Sequence, residues 1–384
     1  MRYAYIKNGD AVAQARRVLD ASHYTGPDAN IGGFLAAHRA DDVLLLCRSR
    51  PTERWVSERL VAESLPGPKW SGGLAGRLLA ALRVTRRMMR WRPDRILCGC
   101  GREMMWASVA AARLMRIPVV VARHTGMPVR DGLHGLSYAI ESFFLRLCDG
   151  VVCHGPFLAD SVRRAGVDPS RIRQFDVDLA SFAASASASD VPNSLAAFAV
   201  RFQLLVMYVG RMQRDKGILD LLDACSRLGD TRGRRTGLVY VGDGEHLGVL
   251  RERVAATGMD DRVLVLGRVP HASLPAIMRT ASVIATPTKP PLQEGRCMVV
   301  LEAFVVGVPV IAPDFAAFPY SVVNGENGLL FAPGDVDALT HCIWRIADDG
   351  ALLEHLRCGA ATSGQRFLDE RPPDFATAVE AAFQ

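Results

Sequence analysis

Two glutamates, Glu294 and Glu302, stand with seven residues between them in a segment that carries the signals of a helix. Gly295 is predicted to open this helix, Gly307 to end it, and an apolar strand is predicted from Pro309. One carboxylate is then on the loop at the helix N-terminus and the other about two turns along. Free backbone N–H groups at such a terminus attract a phosphate. Because two acids beside a phosphate would repel it, they are expected to bind neutral hydroxyl groups attached to it, as in a nucleotide sugar.

A second cluster of charge follows an apolar segment in the same half of the chain. Residues 204–209 are predicted to form a buried strand ending at Gly210, where the missing side chain lets backbone approach a ligand. Arg211 and Lys216 follow, before a predicted helix. An arginine offers a fork of donors to phosphate oxygens, and a lysine offers a compact charge. Because the Glu294 loop is expected at the same edge of the sheet, the two cations are predicted to clamp a phosphate; the alternative is a pair of solvated loop cations.

Two glycine-containing turns are assigned to this edge by their position alone. Gly242 lies in a Gly-Asp-Gly turn between a predicted strand and a predicted helix. Gly267, Arg268 and Val269 follow the next predicted strand and could present backbone groups to a nucleobase edge. A Gly-x-Gly turn is a weak signal, because such turns often serve only close packing. We predict that these residues contact the donor, because of their position at this edge of the sheet alone.

Size and composition limit the class of protein. A chain of 384 residues with 49% hydrophobic content can bury a large core and is expected to form two domains. No apolar run approaches the roughly 18 residues that span a bilayer, and the first residues lack the pattern of a secretory signal. Nine cysteines, with no Cys-x-x-Cys spacing, indicate reduced, mostly buried thiols in a cytoplasmic protein. We therefore predict no metal site.

Charge is distributed unevenly along the chain. Residues 1–180 hold 27 Lys and Arg against 17 Asp and Glu, a net charge of +10, whereas residues 181–384 hold 19 against 23, a net charge of −4. Seven arginines, interleaved with leucine, methionine and tryptophan, are concentrated in one stretch that contains a single acid, Asp94: Arg77, Arg83, Arg86, Arg87, Arg90, Arg92 and Arg95. A basic amphipathic helix of this kind favours an anionic membrane surface.

The arginines predicted to contact that surface are Arg83, Arg86, Arg87 and Arg90. The alternative is a core helix whose outer face is arginine-rich for solubility. Nucleic acid is disfavoured as a partner, because no nucleic-acid-binding motif accompanies the charge.

Strand-like and helix-like segments alternate throughout, which predicts an α/β protein with two doubly wound, Rossmann-like domains facing each other across a cleft. We predict an acceptor-binding domain over residues 1–180 and a linker over 181–203, where an Ala/Ser-only stretch occurs. A nucleotide-sugar-binding domain is predicted over 204–366. A C-terminal helix over 367–384 could pack back on the first domain.

The motifs of the second half resemble those of glycosyltransferase family 4, a family of retaining enzymes with the GT-B fold. The resemblance extends from about residue 204 to residue 367. It is carried by Val209-Gly210-Arg211, Lys216-Gly217, Val241-Gly242-Asp243-Gly244, the segment from Glu294 to Glu302, Gly307-Val308-Pro309-Val310, and the segment from Asn327 to Asp335.

The resemblance implies a role for each of the charged residues. Arg211 and Lys216 are expected to bind the donor diphosphate. Glu302 is expected to bind ribose hydroxyls and Glu294 the hydroxyls of the transferred sugar, with the backbone amides from Gly295 onward meeting the sugar or phosphate. The chain departs from the family pattern at two predicted donor contacts, Arg296 and Cys297, where an aromatic or aliphatic residue and then a small one are usual.

The first half resembles the family less fully. His124, after a predicted strand over residues 118–122, resembles the family histidine that faces the donor sugar; the alternative is a loop residue that caps a strand end. Gly32 and Gly33 are the candidates for the glycine pair that contacts the donor phosphate and shapes the acceptor site. The resemblance implies that no metal or other cofactor is required.

We therefore predict a retaining glycosyltransferase with Glu294, His124, Arg211 and Lys216 as its catalytic residues. The donor is predicted to be a UDP- or GDP-sugar. The acceptor is predicted to be a hydroxyl of a lipid-linked glycan or of a lipopolysaccharide or exopolysaccharide precursor, at the inner face of the plasma membrane. The alternatives are a non-catalytic GT-B subunit of a polysaccharide assembly complex, which would be expected to lose one of the charged residues, and a nucleotide-sugar epimerase.

Overall fold

The chain divides into two compact units. The computed structural model describes residues 1–7, 10–20, 29–47, 52–65, 74–124, 126–127, 134–185, 191–228, 235–370 and 372–384. Unit 1 comprises Met1–Val177 together with Pro372–Gln384, and unit 2 comprises Asp178–Arg371. Strands and helices are numbered along the chain.

Unit 1 is built on an eight-stranded sheet with the order β3-β4-β2-β1-β5-β6-β7-β8. Its strands are β1 (Arg2–Lys7), β2 (Asp42–Cys47), β3 (Arg54–Ser57), β4 (Leu60–Ser64), β5 (Arg95–Gly99), β6 (Val119–Arg123), β7 (Gly150–His154) and β8 (Ile172–Phe175). Every neighbouring pair is parallel except β3 and β4. Its helices are α1 (Ala11–Asp20), α2 (Ala29–Ala37), α3 (Leu74–Trp91), α4 (Arg102–Met115), α5 (His134–Arg146), α6 (Pro156–Arg164) and α15 (Phe375–Ala382).

Alternation along β1 explains how this sheet is covered on both faces. Ala4 and Ile6 point into one core cluster, which includes Met88 of α3 and residues of α4. Tyr3 and Tyr5 point into the other, which includes residues of α2 and four residues of α15. Because successive side chains of a strand face opposite sides, a fully apolar strand is expected where helices cover both faces. The last helix of the chain therefore belongs to the core of unit 1.

Unit 2 is built on a six-stranded, fully parallel sheet with the order β11-β10-β9-β12-β13-β14. Its strands are β9 (Leu204–Val209), β10 (Thr236–Val241), β11 (Val263–Gly267), β12 (Val283–Ala285), β13 (Val310–Pro313) and β14 (Gly328–Phe331). Its helices are α7 (Ala180–Ala184), α8 (Asn193–Ala199), α9 (Ile218–Arg227), α10 (Leu247–Ala256), α11 (Leu274–Arg279), α12 (Met298–Val305), α13 (Val336–Asp348) and α14 (Gly350–Glu370). The α/β class with two parallel-sheet domains is thus confirmed.

Residues 181–203 differ from the linker expected there. They contain most of α7 and all of α8, while residues 186–190 lie outside the described residues. Phe182, Leu195 and Phe198 are buried in the core of unit 2, packed with side chains of β9 and α12. Aromatic and leucine side chains at helical spacing bury enough apolar area to hold this segment against the sheet.

Candidate functional site

The strand order of unit 2 reverses at β9. From β9 the chain adds β10 and β11 on one side, and then β12, β13 and β14 on the other. The loops after β9 and β12 leave the same edge of the sheet from neighbouring strands, and the helices that follow them lead to strands towards opposite ends of the strand order. In open parallel sheets this switch point, outside the carboxyl ends of the strands, is where ligands bind. The loop over residues 210–217 follows β9, and the loop over residues 286–297 follows β12.

Two glycines allow the loops at this edge to pack against each other through their backbones. A Cβ at Gly217 would lie 2.0 Å from the carbonyl oxygen of Pro287, and its φ is +69°. A Cβ at Gly242 would lie 1.9 Å from the carbonyl oxygen of Gly210, and its φ is +133°. Both glycines adopt a backbone that other residues avoid. The glycine of the Gly-Asp-Gly turn therefore has a packing role.

Lys216 and Glu294 meet at the point where these loops adjoin. The Lys216 ammonium donates a hydrogen bond to Oε1 of Glu294 and forms an ion pair with it. The hydroxyl of Thr288 donates to the same oxygen, at 3.1 Å. Each charged side chain is only 15% exposed. The prediction that the two loops converge is confirmed by this contact, and the carboxylate presents its other oxygen, Oε2, for further hydrogen bonding.

Arg211 follows the end of β9, and a tyrosine hydroxyl holds its backbone. The Tyr208 hydroxyl donates to the Arg211 carbonyl oxygen at 2.7 Å. Burial, followed by the charge of Glu294, raises the pKa of Tyr208, so the hydroxyl keeps its proton and remains a donor. The Arg211 side chain is exposed, and among the described residues none forms an ion pair with its guanidinium. This guanidinium is therefore open to an anionic ligand.

Glu302 lies on α12 and is held by a residue that the sequence analysis did not single out. Its carboxyl Oε1 is 3.2 Å from Nε2 of His271, in the loop after β11. The Glu302 side chain is 10% exposed and the His271 side chain 42%. The hydrogen bond to Glu302 raises the pKa of His271, against the opposing effect of burial. A signal existed, since His271 follows a parallel strand whose carboxyl end faces the same edge.

The start of α12 links the two carboxylates. Cys297 is the N-cap of this helix and is buried. Burial raises the pKa of the Cys297 thiol, and the charges of Glu294 and Glu302 act in the same direction while that of Lys216 opposes them. The charges of both carboxylates and of the lysine therefore act on the Cys297 thiol, which is protonated. Cys297 makes no side-chain cap, which leaves the first amides of the helix available to an anion.

The predicted helix start at Gly295 is wrong by three residues, because α12 begins at Met298. Cys297 has extended backbone, with φ −87° and ψ 95°, and Glu294 is held outside the helix by Lys216 and Thr288. The predicted helix end is confirmed, since α12 ends at Val305 and Gly307 has a φ of +77°.

Two protein-family models match the chain. The model described as Glycosyltransferase Family 4 matches residues 30–175, and the model described as Glycosyl transferases group 1 matches residues 203–349. The chain belongs to glycosyltransferase family 4. The recognition made from the motifs is confirmed, and the chain is a transferase enzyme.

Named relatives agree with this assignment. The family 4 enzyme is 28% identical over 305 residues to a 2-deoxystreptamine glucosyltransferase of Streptomyces kanamyceticus. The matched region covers 74% of this chain and 76% of the relative. It is also 28% identical over 258 residues to the lipopolysaccharide core biosynthesis mannosyltransferase LpsB of Rhizobium meliloti. That matched region covers 59% of this chain and 70% of the relative.

Solved structures show the same fold. Anabaena HepE in complex with UDP is 17% identical, with a TM-score of 0.69, over 99% of this chain and 98% of that one. HepE has also been solved with UDP-glucose. At this level of identity the likeness concerns the fold alone, and it agrees with the predicted GT-B class.

Two further residues predicted to contact the donor, Arg296 and Arg268, have different surroundings in the family 4 enzyme. The Arg296 Nη1 donates to the Ser321 hydroxyl at 3.1 Å, and its guanidinium lies 5.7 Å from the centre of the Phe367 ring. These contacts hold Arg296 beside Ser321 and against Phe367 of α14, at the first of the two positions where the chain departs from the family pattern. Arg268 is 83% exposed and lies 3.7 Å from Oδ2 of Asp243.

The glycine and valine beside Arg268 have separate surroundings. The carbonyl oxygen of Gly267 accepts from the Gly242 amide at 2.8 Å, so this backbone oxygen is already used within unit 2. Val269 packs against the core of the unit. The predicted contact of Gly267, Arg268 and Val269 with a nucleobase stays a prediction.

In unit 1, His124 follows β6 and lies among aromatic rings. Its ring centroid is 6.3 Å from that of His154, 5.8 Å from that of Phe175 and 6.1 Å from that of Phe375. The residue is exposed at the surface, but surrounding protein atoms, and then the charges of His154, Lys7 and Arg123, lower the pKa of His124 to about 3. All these causes act in one direction. His124 is therefore neutral at physiological pH and can exchange hydrogen bonds with a hydroxyl.

Gly32 and Gly33 lie within α2 rather than beside a strand end. Gly32 is buried, and no heavy atom lies within 4 Å of a Cβ built at Gly33. Their predicted role at the donor phosphate and the acceptor site stays a prediction.

The arginines of α3 separate into two kinds. Arg83, Arg86 and Arg90 are exposed. Arg87 instead forms a bidentate pair with Glu63 of β4, at 2.6 and 2.9 Å, and is only 23% exposed. The grouping of Arg87 with a membrane-facing set is wrong, because its fork of donors is already matched to a carboxylate. None of the helices formed by the described residues is long and apolar enough to cross a bilayer.

Proposed function

We propose that the enzyme transfers a sugar from a UDP- or GDP-sugar to an acceptor hydroxyl, with retention of the anomeric configuration. The observation that carries the proposal is the ion pair between Lys216 and Glu294. It stands at the switch point of unit 2, with the exposed Arg211 at the end of β9 and the uncapped start of α12 nearby in the sequence.

The electrostatics suit a leaving diphosphate. As the glycosidic bond breaks, negative charge grows on the phosphate oxygen. Arg211, Lys216 and the first amides of α12 offer positive charge and donors held in position before the reaction, which is electrostatic preorganisation. When the Lys216 ammonium pairs with the diphosphate instead of with Glu294, the Glu294 carboxylate and the Thr288 hydroxyl remain to hold hydroxyls of the sugar.

The resemblance to the family supplies the direction of attack. The acceptor oxygen forms its bond to the anomeric carbon on the face from which the diphosphate leaves, and the departing phosphate oxygen takes the acceptor proton. No carboxylate nucleophile, metal ion or other cofactor takes part in this scheme. Neutral His124 is assigned a hydrogen bond to the sugar.

Calorimetry with UDP and GDP tests the proposal. Wild type is expected to bind one of them, and the double variant Arg211→Ala/Lys216→Ala is expected to lose at least about 100-fold in affinity, because two charge-assisted contacts worth about 1.5–3 kcal/mol each are removed. A matched control is Arg227→Ala/Lys289→Ala, which removes the same charges at sites paired with Asp337 and Asp220. Binding of neither nucleotide by wild type, or unchanged binding by the first variant, would refute the proposal.

For the acceptor, we propose a lipid-linked glycan or a lipopolysaccharide or exopolysaccharide precursor at an anionic membrane surface, reached through α3. Buried residues of α3, including Val84 and Met88, face the core of unit 1. The opposite side carries four exposed apolar residues and three exposed arginines: Leu78, Leu79, Leu82, Met89, Arg83, Arg86 and Arg90. Leu82 is 64% exposed. Apolar side chains can enter the acyl boundary while arginines meet anionic headgroups, each worth about 1 kcal/mol near such a surface.

Vesicle sedimentation tests this surface. The variant Arg83→Gln/Arg86→Gln/Arg90→Gln is expected to lose about 100-fold in affinity for vesicles that contain phosphatidylglycerol, following about 1 kcal/mol for each arginine. The control Arg39→Gln/Arg116→Gln/Arg163→Gln makes the same change of charge at exposed arginines elsewhere on unit 1. Equal binding by both variants would refute a specific role for α3.

A further inference from the structure

His271 and Glu302 form a pair between the loop after β11 and the middle of α12. The distance from His271 Nε2 to Glu302 Oε1 is 3.2 Å. The Phe182 ring of α7 lies with its centroid 5.3 Å from that of the imidazole. The histidine is therefore held between an acid on one helix and an aromatic ring on another, while 42% of its side chain stays exposed.

Glu302 is the charged group that acts on His271. The elements packed against the histidine bring few other titratable side chains: α12 carries Glu302 alone, α7 has none, and α11 has only Arg279 at its last residue. Arg268, three residues before the histidine, is directed towards Asp243. The hydrogen bond to Glu302 raises the pKa of His271, and its charge acts in the same direction. The imidazole therefore keeps its proton to a higher pH than an unperturbed histidine.

Resting on the proposed function, we propose that His271 is a positioning residue that fixes the Glu302 carboxylate for the ribose hydroxyls and links donor affinity to pH. The carboxylate has two oxygens, and His271 holds Oε1. Oε2 can then accept from a ribose hydroxyl in a fixed direction. On this proposal the group recognised at Glu302 is a ribose with free hydroxyls, which is the role that the family resemblance implies for this carboxylate.

The sign of the pH effect follows from charge. A protonated His271 offsets the buried Glu302 carboxylate close to where an anionic donor binds, so the bound donor favours the protonated form. Binding then takes up a fraction of a proton. Donor affinity is expected to be highest below the raised pKa of His271 and to fall as the pH rises through it.

Calorimetry with UDP-glucose or GDP-mannose, whichever binds, measures this effect. A sugar nucleotide is preferred to UDP, because a terminal phosphate itself titrates near pH 6. For wild type, Kd is expected to rise about five-fold between about pH 6 and pH 8.5, a range that begins near the ordinary histidine pKa and extends in the direction in which the pKa of His271 is shifted. Proton uptake, obtained from buffers with different ionisation enthalpies, is expected to accompany binding in the middle of this range.

The variant His271→Gln keeps a hydrogen-bond donor but cannot be protonated. It is expected to bind at all pH values with about the wild-type affinity at pH 8.5, with a pH dependence below two-fold and no proton uptake. His271→Arg, which stays positively charged, is expected to restore tight binding at pH 8.5. The control His341→Gln removes an exposed histidine of α13 that stacks on Trp344, and it is expected to behave as wild type.

The outcomes separate the inference from the proposed function. If wild type binds a sugar nucleotide with the same affinity and no proton uptake across this range, the inference fails and the donor site stands. Retention of the pH dependence by His271→Gln would overturn it equally. If wild type binds neither these sugar nucleotides nor UDP or GDP, both the inference and the proposed function fail. Circular dichroism at each pH shows whether a variant is folded, and the charge-preserving His271→Arg variant separates lost charge from lost packing.

Discussion

Replacement of Lys216 by methionine gives the most direct test of the donor site. Methionine keeps much of the apolar stem and removes the ammonium, so Glu294 loses its ion-pair partner and retains the 3.1 Å hydrogen bond from Thr288. Loss of one preorganised donor to developing charge costs about 3–4 kcal/mol, or about 100- to 1000-fold in kcat. We expect a loss of this size in the release of nucleotide from the sugar donor.

The same substitution also affects stability. Breaking a fully buried ion pair by removing one partner costs about 3–5 kcal/mol, and an exposed pair is worth about 0–1 kcal/mol. Both side chains here are 15% exposed, and the threonine still satisfies one carboxylate oxygen, so we expect a destabilisation of about 2 kcal/mol. Urea unfolding measures this change.

Lys289→Met is the matched control for this experiment. Lys289 lies on the loop after β12, and its ammonium contacts both carboxylate oxygens of Asp220, at 2.8 and 2.7 Å. The control is expected to lose a similar or smaller amount of stability and to keep donor turnover. If Lys216→Met keeps turnover within about three-fold of wild type, or if Lys289→Met lowers it as strongly, the reasoning about the diphosphate is refuted.

Three further predictions concern other contacts. Gly217→Ala is expected to destabilise unit 2 by about 2–3 kcal/mol, because a Cβ would lie 2.0 Å from the Pro287 carbonyl oxygen at a φ of +69°; unchanged urea unfolding would contradict this. Arg87→Gln is expected to destabilise unit 1 by about 1–3 kcal/mol, through loss of the bidentate pair with Glu63, while vesicle affinity stays within two-fold of wild type. Treatment with EDTA is expected to leave donor turnover unchanged, and loss of turnover that added Mg²⁺ restores would refute the metal-free scheme.

Much of unit 2 and of its site could be predicted from the sequence. Alternating apolar segments and glycines at their ends predict a parallel sheet, and the carboxyl ends of parallel strands share an edge. That rule is enough to place Lys216 and Glu294 at one edge of the sheet from the sequence alone. The sequence predicts the start of α12 three residues too early, because a glycine after Glu294 resembles a helix opening, whereas side-chain hydrogen bonds hold the glutamate in the loop.

What could not be predicted depends on partners that are distant in sequence. A row of arginines does not indicate which one meets Glu63, since that choice is made by the packing of α3 beside β4. His271 has no pattern of its own, and only its contact with Glu302, 31 residues away, distinguishes it from any loop histidine. The alanines and serines of the segment over 181–203 indicate a linker, but its few large apolar residues outweigh that composition once they are buried.

The contribution of α15 to unit 1 has a consequence for synthesis on the ribosome. Glu380 accepts hydrogen bonds from Tyr3 and Arg95, and Phe375 contacts the ring of Phe175. These α15 residues are translated after the whole of unit 2. During elongation, one face of the unit 1 sheet lacks the part of its apolar cover that α15 supplies, whereas the contiguous residues of unit 2 can fold first. Chaperone capture is therefore expected to be directed at the earlier-made half of the polypeptide.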